Sequence, residues 1–75
     1  MSGFMEEGET PGSLELSVAN EVGAYDYFVL FRKSGNRELL RYLGKPVKVT
    51  GSVIDSLGKK YLQVERVEPV RDSLN

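Results

Sequence analysis

Alternating apolar and polar positions predict short β-strands from residue 14 onward. Residues 14–18 alternate with the period of a half-buried strand. Residues 25–32 are dense in aromatic and branched side chains and are apolar on both faces, which is typical of a central strand. Residues 47–53 alternate again, and Gly51 inside that pattern indicates a bend or a bulge.

A last strand is predicted over residues 59–70, with Leu62 and Val64 facing inward. The apolar phase then shifts to Val67, which predicts a bulge near Glu65–Arg66. Segments rich in Gly, Asn, Ser and Asp predict turns at residues 20–23, 33–36 and 55–58.

The segment 37–43 fits two interpretations. Leu39, Leu40 and Leu43 lie at helical spacing, and Gly44 and Pro46 follow where a helix would end. A short strand over residues 37–40 with a helical turn over 41–44 fits equally well, and the pattern alone does not separate the two.

The pattern predicts one small all-β domain. Residues 1–12 are rich in Gly, Glu and Ser and are expected to form a disordered acidic tail, with the domain over 13–70 and a flexible C-terminus over 71–75. Four or five strands in a flat sheet would leave open edges, and closure into a barrel removes them. We therefore expect a five-stranded barrel with one short helical turn, stabilised by its apolar core because the 75-residue chain has no cysteine.

Three segments carry a resemblance to a known family. They are LGKPVKVTGSV (43–53), GKKYLQV (58–64) and YFVL (27–30). The first two resemble the last two strands of small bacterial OB-fold (oligonucleotide/oligosaccharide-binding) domains, and the third resembles the second strand. The resemblance covers residues 12–70 and implies an OB-like barrel, a fold that hosts many functions.

Composition excludes most catalytic chemistry. The chain has no histidine and no cysteine, so Ser-His-Asp and Cys-His arrangements are impossible and zinc loses its best ligands. No phosphate-binding glycine loop or calcium loop is present. The carboxylates lie in the predicted tail or at a strand end, where solvation accounts for them. We expect a non-enzymatic binding module with no catalytic residue, no cofactor and no metal.

Charge is distributed unevenly, although the formal net charge is only −1. Residues 1–26 hold six acidic side chains and no basic one, whereas residues 27–60 hold eight basic and two acidic ones. OB domains bind single strands on basic, aromatic surfaces across the second and third strands and the loops beside them. Weak binding of single-stranded nucleic acid, such as single-stranded DNA, is the first hypothesis, and its candidate residues are Tyr25, Tyr27, Phe31, Arg32, Lys33, Arg37, Lys59 and Lys60. Glu21 and Asp26 lie in or beside the first of these loops and would repel the phosphates of a nucleic acid.

Two alternatives to nucleic acid stay open. The first is a protein–protein interaction module that uses the same apolar face or a strand edge. The second is a small-ligand or saccharide site on the barrel. The choice depends partly on which side chains of residues 25–32 face the core. We expect Tyr27 and Phe31 inside, because bulky apolar residues usually fill small cores; the opposite parity puts Phe28 and Leu30 inside and exposes Tyr27, Val29 and Phe31.

The remaining expectations concern surroundings. No apolar run approaches the roughly 18–20 residues that span a bilayer, so no membrane is expected. The acidic N-terminal segment lacks the apolar core of a signal peptide, which favours a cytoplasmic protein, although an exported or trimmed fragment would look the same. The domain is expected to be a monomer.

Overall fold

Five strands close into a barrel in the computed structural model, which describes residues 1–70. The strands follow the order β1-β2-β3-β5-β4, and β4 returns to β1; β3 and β5 are parallel and the other neighbours are antiparallel. The elements are β1 (Ser2–Glu7), β2 (Leu14–Ala19), β3 (Tyr25–Phe31), a 3₁₀ helix (Arg37–Tyr42), β4 (Pro46–Ser56) and β5 (Lys59–Pro69). The predicted all-β barrel with one short helix is confirmed.

The core lies inside the barrel and is mostly aliphatic. Strand alternation points every second side chain inward, and the β2–β3 register aligns Leu14 with Leu30 and Leu16 with Phe28. Side chains from all five strands and the helix fill the interior, namely Met5, Leu14, Leu16, Phe28, Leu30, Leu39, Val47, Val49, Leu62 and Val64.

The segment between β3 and β4 is helical, so the strand considered for residues 37–40 does not form. Leu39 is fully buried and joins the core, whereas Leu40 and Leu43 remain exposed. Asn36 precedes the helix, and its side-chain amide donates a hydrogen bond to the Leu30 carbonyl at 3.3 Å. One leucine therefore anchors the helix to the barrel.

The bulge predicted near Glu65–Arg66 is present in the β4–β5 pairing. Thr50 pairs with Arg66 and the next residue, Gly51, pairs with Val64, so Glu65 is the extra residue on β5. A Cβ atom on Gly51 would collide with the Gln63 carbonyl oxygen. Only glycine lets the two backbones approach this closely, which explains a glycine inside a strand.

The expectation of a disordered tail over residues 1–12 is wrong for residues 2–7, which form β1. This strand pairs with β2 on one side and with β4 on the other. Met5 is fully buried, its amide donates to the Lys45 carbonyl at 3.1 Å, and its carbonyl accepts from the Gly44 amide at 2.8 Å. The fifth strand of the barrel comes from this acidic segment. The flexible C-terminus expected at 71–75 lies outside the described residues.

We predict that Met5→Ala lowers the free energy of unfolding by about 2–5 kcal/mol, because it leaves a cavity in the core. Phe4→Ala is the matched control, since Phe4 neighbours Met5 but points outward, and its cost should stay within about 1 kcal/mol. Urea denaturation of both variants measures the difference. Equal, negligible effects would mean that the segment is disordered after all.

Candidate functional site

Aromatic side chains line a shallow cleft on the outer face of β1, β2 and β3. The register sets Phe4, Ser17 and Tyr27 side by side on three neighbouring strands. Phe4 is 43% exposed and Tyr27 54% exposed, whereas the small Ser17 between them is 7% exposed and forms the floor. Tyr25, 59% exposed, completes the lining one outward position earlier on β3.

We call this surface the aromatic cleft and define it by Phe4, Ser17, Tyr25 and Tyr27. Its volume is about 370 Å³, and Glu6 forms part of its wall. An adjoining, more apolar depression of about 320 Å³ continues past Phe4 and Tyr25; its other lining residues are Ser2, Gly3, Ser17, Ala19, Pro46 and Val70. Together the two depressions give an open aromatic surface that could receive planar or apolar groups.

The expectation that Tyr27 and Phe31 face the core is wrong. Phe28 and Leu30 are buried instead, Tyr27 is exposed and Phe31 is half-buried on the outside. The parity of β3 follows from its pairing with β2, whose inward leucines are level with Phe28 and Leu30. The opposite parity, which leaves an aromatic platform outside, is the one that forms.

The surface around the cleft is acidic. Glu6 on β1 lies directly opposite Glu15 on β2, both half-buried on the outer face. Like charges that face each other across a strand pair destabilise a sheet. Every charged side chain of β1, β2 and the loops that follow them is a carboxylate. The carboxylates of β1 and β2 thus give this side of the cleft a negative charge.

The basic candidates do not gather at the cleft. Arg32 lies beyond the end of β3, where it forms an ion pair with Glu38 at 3.1 Å. It lines a separate depression of about 220 Å³ together with Arg41 and Arg66. Lys33 is exposed in the turn before the helix, and Arg37 is the first helical residue. Phe31 lies level with Gln63 of β5 at this end of β3.

Lys59 and Lys60 begin β5, on the side of the barrel where β3 begins. The parallel pairing sets Val29 level with Tyr61, so the two lysines precede the paired segment in the direction of Tyr27. The Lys60 ammonium lies 5.7 Å from the centre of the buried Phe28 ring, a cation–π distance, which places Lys60 on the inward side of β3. Lys59 has the outward parity by strand alternation, and neither lysine lines the cleft.

The β4–β5 hairpin, whose end we call the arm (residues 53–60), carries an unusual turn. Both turn residues have positive φ, 52° at Leu57 and 77° at Gly58. Two-residue turns of this kind favour Asn-Gly or Asp-Gly, and a branched side chain at positive φ is uncommon. Leu57 is also fully exposed, so neither local geometry nor burial explains a leucine here.

Sequence reasoning missed Phe4, Glu6, Glu15, Ser17 and Leu57 as surface residues of interest. β1 carries no alternating apolar pattern in the sequence, and the adjacent apolar pair Phe4 and Met5 is its sole apolar feature. Among residues 1–70 no cluster of three or more acidic side chains could hold a metal ion. In the same part of the chain, no helix has the length and apolar character that crossing a bilayer requires.

No family model, curated protein or solved structure matches this chain significantly.

We predict that Tyr27→Ala changes the free energy of unfolding by no more than about 1 kcal/mol, because the ring is exposed. Phe28→Ala, one residue further along the same strand, should cost about 3–5 kcal/mol because it empties part of the core. Denaturant titration of the two variants tests the parity of β3. A larger loss for Tyr27→Ala would show that the aromatic cleft is not free surface.

We also predict that Glu15→Gln raises the free energy of unfolding by about 0.2–1 kcal/mol, since it removes the repulsion from Glu6. The gain should shrink as salt screens the charges. Glu9→Gln, in the loop between β1 and β2, is the control and should change little. Thermal denaturation at low and high ionic strength measures both, and no gain at low salt would contradict the repulsion.

Proposed function

We propose that this chain is a non-enzymatic binding module with an OB-like barrel. The strand order β1-β2-β3-β5-β4 and the helix between β3 and β4 support this assignment, and so does the resemblance carried by residues 43–53 and 58–64. OB domains bind ligands on the face of strands 2 and 3, between the loops that follow strands 1 and 4. The corresponding surface here includes the aromatic cleft, whose lining residues all belong to β1, β2 and β3.

The ligand class that the surface favours is a protein segment that combines positive charge with an apolar or aromatic side chain. Exposed aromatic rings bind apolar groups and cations on their faces, and the neighbouring carboxylates, Glu6 and Glu15, pair with lysine or arginine. The acidity of β1 and β2 favours such a partner over a phosphate backbone. This is the protein-interaction alternative raised from the sequence.

One observation carries the proposal. Phe4, Tyr25 and Tyr27 are each roughly half exposed, they line one cleft, and the core is complete without them. Aromatic residues are enriched at protein interfaces because they bury large areas at low entropic cost. Three of them together on a domain of this size are more than scattered surface residues would explain.

Single-stranded nucleic acid stays the second candidate. Lys59, which begins β5 toward the end of β3 that carries Tyr27, would bring one basic side chain to the side of a ring on which a base could stack. The other basic candidates of this hypothesis, Arg32, Lys33 and Arg37, lie at the far end of β3. A strand bound at the cleft would therefore have few phosphate contacts, and its affinity would be low.

We predict that short peptides with two lysines and one tyrosine or leucine shift the amide resonances of Phe4, Ser17, Tyr25 and Tyr27 in two-dimensional NMR titrations. The same peptides with glutamate in place of lysine should not shift them, because Glu6 and Glu15 repel them. Oligo-thymidine, titrated at low and at physiological salt, is the parallel probe for the second candidate.

Tyr27→Ser should weaken binding of the lysine peptides by about tenfold or more, as expected for an aromatic anchor. Leu40→Ser is the matched control, since Leu40 is 49% exposed on the helix and lines neither depression of the aromatic surface. Stronger, salt-sensitive shifts with oligo-thymidine would replace the proposal by the second candidate. If no probe moves the cleft resonances, the cleft is not a binding site.

A further inference from the structure

The arm has the chemistry that the aromatic cleft selects. Its end presents Leu57, fully exposed, close to Lys59, while Lys60 pairs across the hairpin with Asp55 and lies over the Phe28 ring of its own chain. An apolar side chain beside a cation is the composition proposed above for the ligand of the cleft. The chain therefore contains both halves of one interaction.

The two halves lie on one side of the barrel. The parallel pairing of β5 with β3 starts at Tyr61 and Val29, so Lys59 and the arm lie toward the end of β3 that carries Tyr27, while Phe4, Glu6 and Glu15 lie across β1 and β2. The exposed face thus runs from an acidic edge through the aromatic rings to a basic, apolar edge. A symmetric dimer requires a self-complementary face of this kind. When a residue of one copy contacts a second residue of the other copy, the two-fold axis repeats the same contact with the copies exchanged.

We propose that the partner of the cleft is the arm of a second copy of this chain, in a symmetric dimer whose axis passes near Tyr27. Leu57 of each copy contacts Phe4 and Tyr25 of the other, and Lys59 of each approaches Glu6 of the other. This inference rests on the proposed function, since it names the protein segment that the cleft binds.

The backbone of the turn supports a role for Leu57 beyond folding. Asparagine would fit positive φ better than leucine does, yet leucine stands there with its side chain entirely in solvent. Residues held at such φ values cluster at active sites, ligand clamps and switch regions, where the strain is part of the function. Contact with a second copy would remove the Leu57 side chain from water and would also bring an opposite charge to the Glu6–Glu15 pair.

The first test is sedimentation of the full chain from micromolar to millimolar concentration. We expect a reversible monomer–dimer equilibrium in the wild type. Leu57→Asn should weaken the dimer by about a hundredfold or more, because a symmetric dimer loses the buried leucine of both copies and each is worth about tenfold or more. The same variant should not be less stable as a monomer, because asparagine suits the turn. Leu40→Ser, another exposed leucine made polar, should leave the equilibrium unchanged.

A charge exchange then tests which surfaces meet. Lys59→Glu gives each copy an acidic arm, and Glu6→Lys gives each copy a basic cleft wall, so each variant alone should be largely monomeric. In the mixture, both contacts of a heterodimer pair opposite charges, because the acidic arm of one copy meets the basic wall of the other and the unchanged arm meets the unchanged wall. A heterodimer should therefore form. Lys33→Glu, which reverses a basic residue in the turn before the helix, is the control and should dimerise like the wild type.

The outcomes separate this inference from the proposed function. A wild type that stays monomeric at millimolar concentration overturns the dimer, while the peptide titrations still decide whether the cleft binds basic segments. A dimer whose stability is unchanged by Leu57→Asn and by the charge exchange uses another surface, and the proposed arm–cleft contact is then wrong. A dimer that responds to both, with the controls unchanged, supports it.

Discussion

The hydrogen bonds of β1 hold the barrel closed, and the rest of the structure depends on them. β1 pairs with β2 from Phe4 to Glu7 and with β4 from Ser2 to Phe4. Without it, β2 and β4 would each present an unpaired edge, and the core would lose the fully buried Met5. A chain of this size without disulfides buries little apolar area on folding, so it cannot form a stable core unless the barrel closes.

Closure also decides which side chains face solvent. The interior accepts mostly leucine, valine and methionine, with Phe28 as its one buried aromatic residue among residues 1–70. Once β2 fixes the parity of β3, the tyrosines of β3 must lie outside, beside Phe4 of β1. The aromatic cleft is thus a geometrical result of the barrel, and its acidity comes from the residues that β1 and β2 carry on their outer faces.

Strands with alternating apolar and polar residues could be predicted from the sequence. The pairings of β1 with β2 and β4, which form only when the barrel closes, could not. The β4–β5 hairpin and its bulge followed from the phase of Leu62, Val64 and Val67. β1 was not predicted from the sequence, for two reasons. One of its inward positions is Gly3, where a Cβ atom would collide with the Ser17 carbonyl oxygen, and Met5 is its only buried apolar side chain. A strand with so little apolar pattern resembles an acidic tail.

The candidate site could be predicted only in part, because part of it lies on β1. Tyr25 and Tyr27 were candidates and do line the cleft, but Phe4 could not be placed there before β1 was known to pair with β2. The parity of β3 was open because both of its faces are apolar. Arg32 and Lys59 were predicted to lie in one basic site. In the barrel they lie toward opposite ends of β3, because β5 runs parallel to β3.

The pairing of β1 with β4 has a consequence for the order in which the molecule can assemble. Ser2 pairs with Lys48, so about two-thirds of the 75 residues must be synthesised before the second neighbour of β1 exists. The loop-closure entropy of such distant pairings opposes their formation until the contacts are made, which slows folding. Until the ribosome has released β4, β1 can at most form an open ribbon with β2, its other edge unprotected and Met5 in water. The vulnerable species of this protein is therefore the nascent chain.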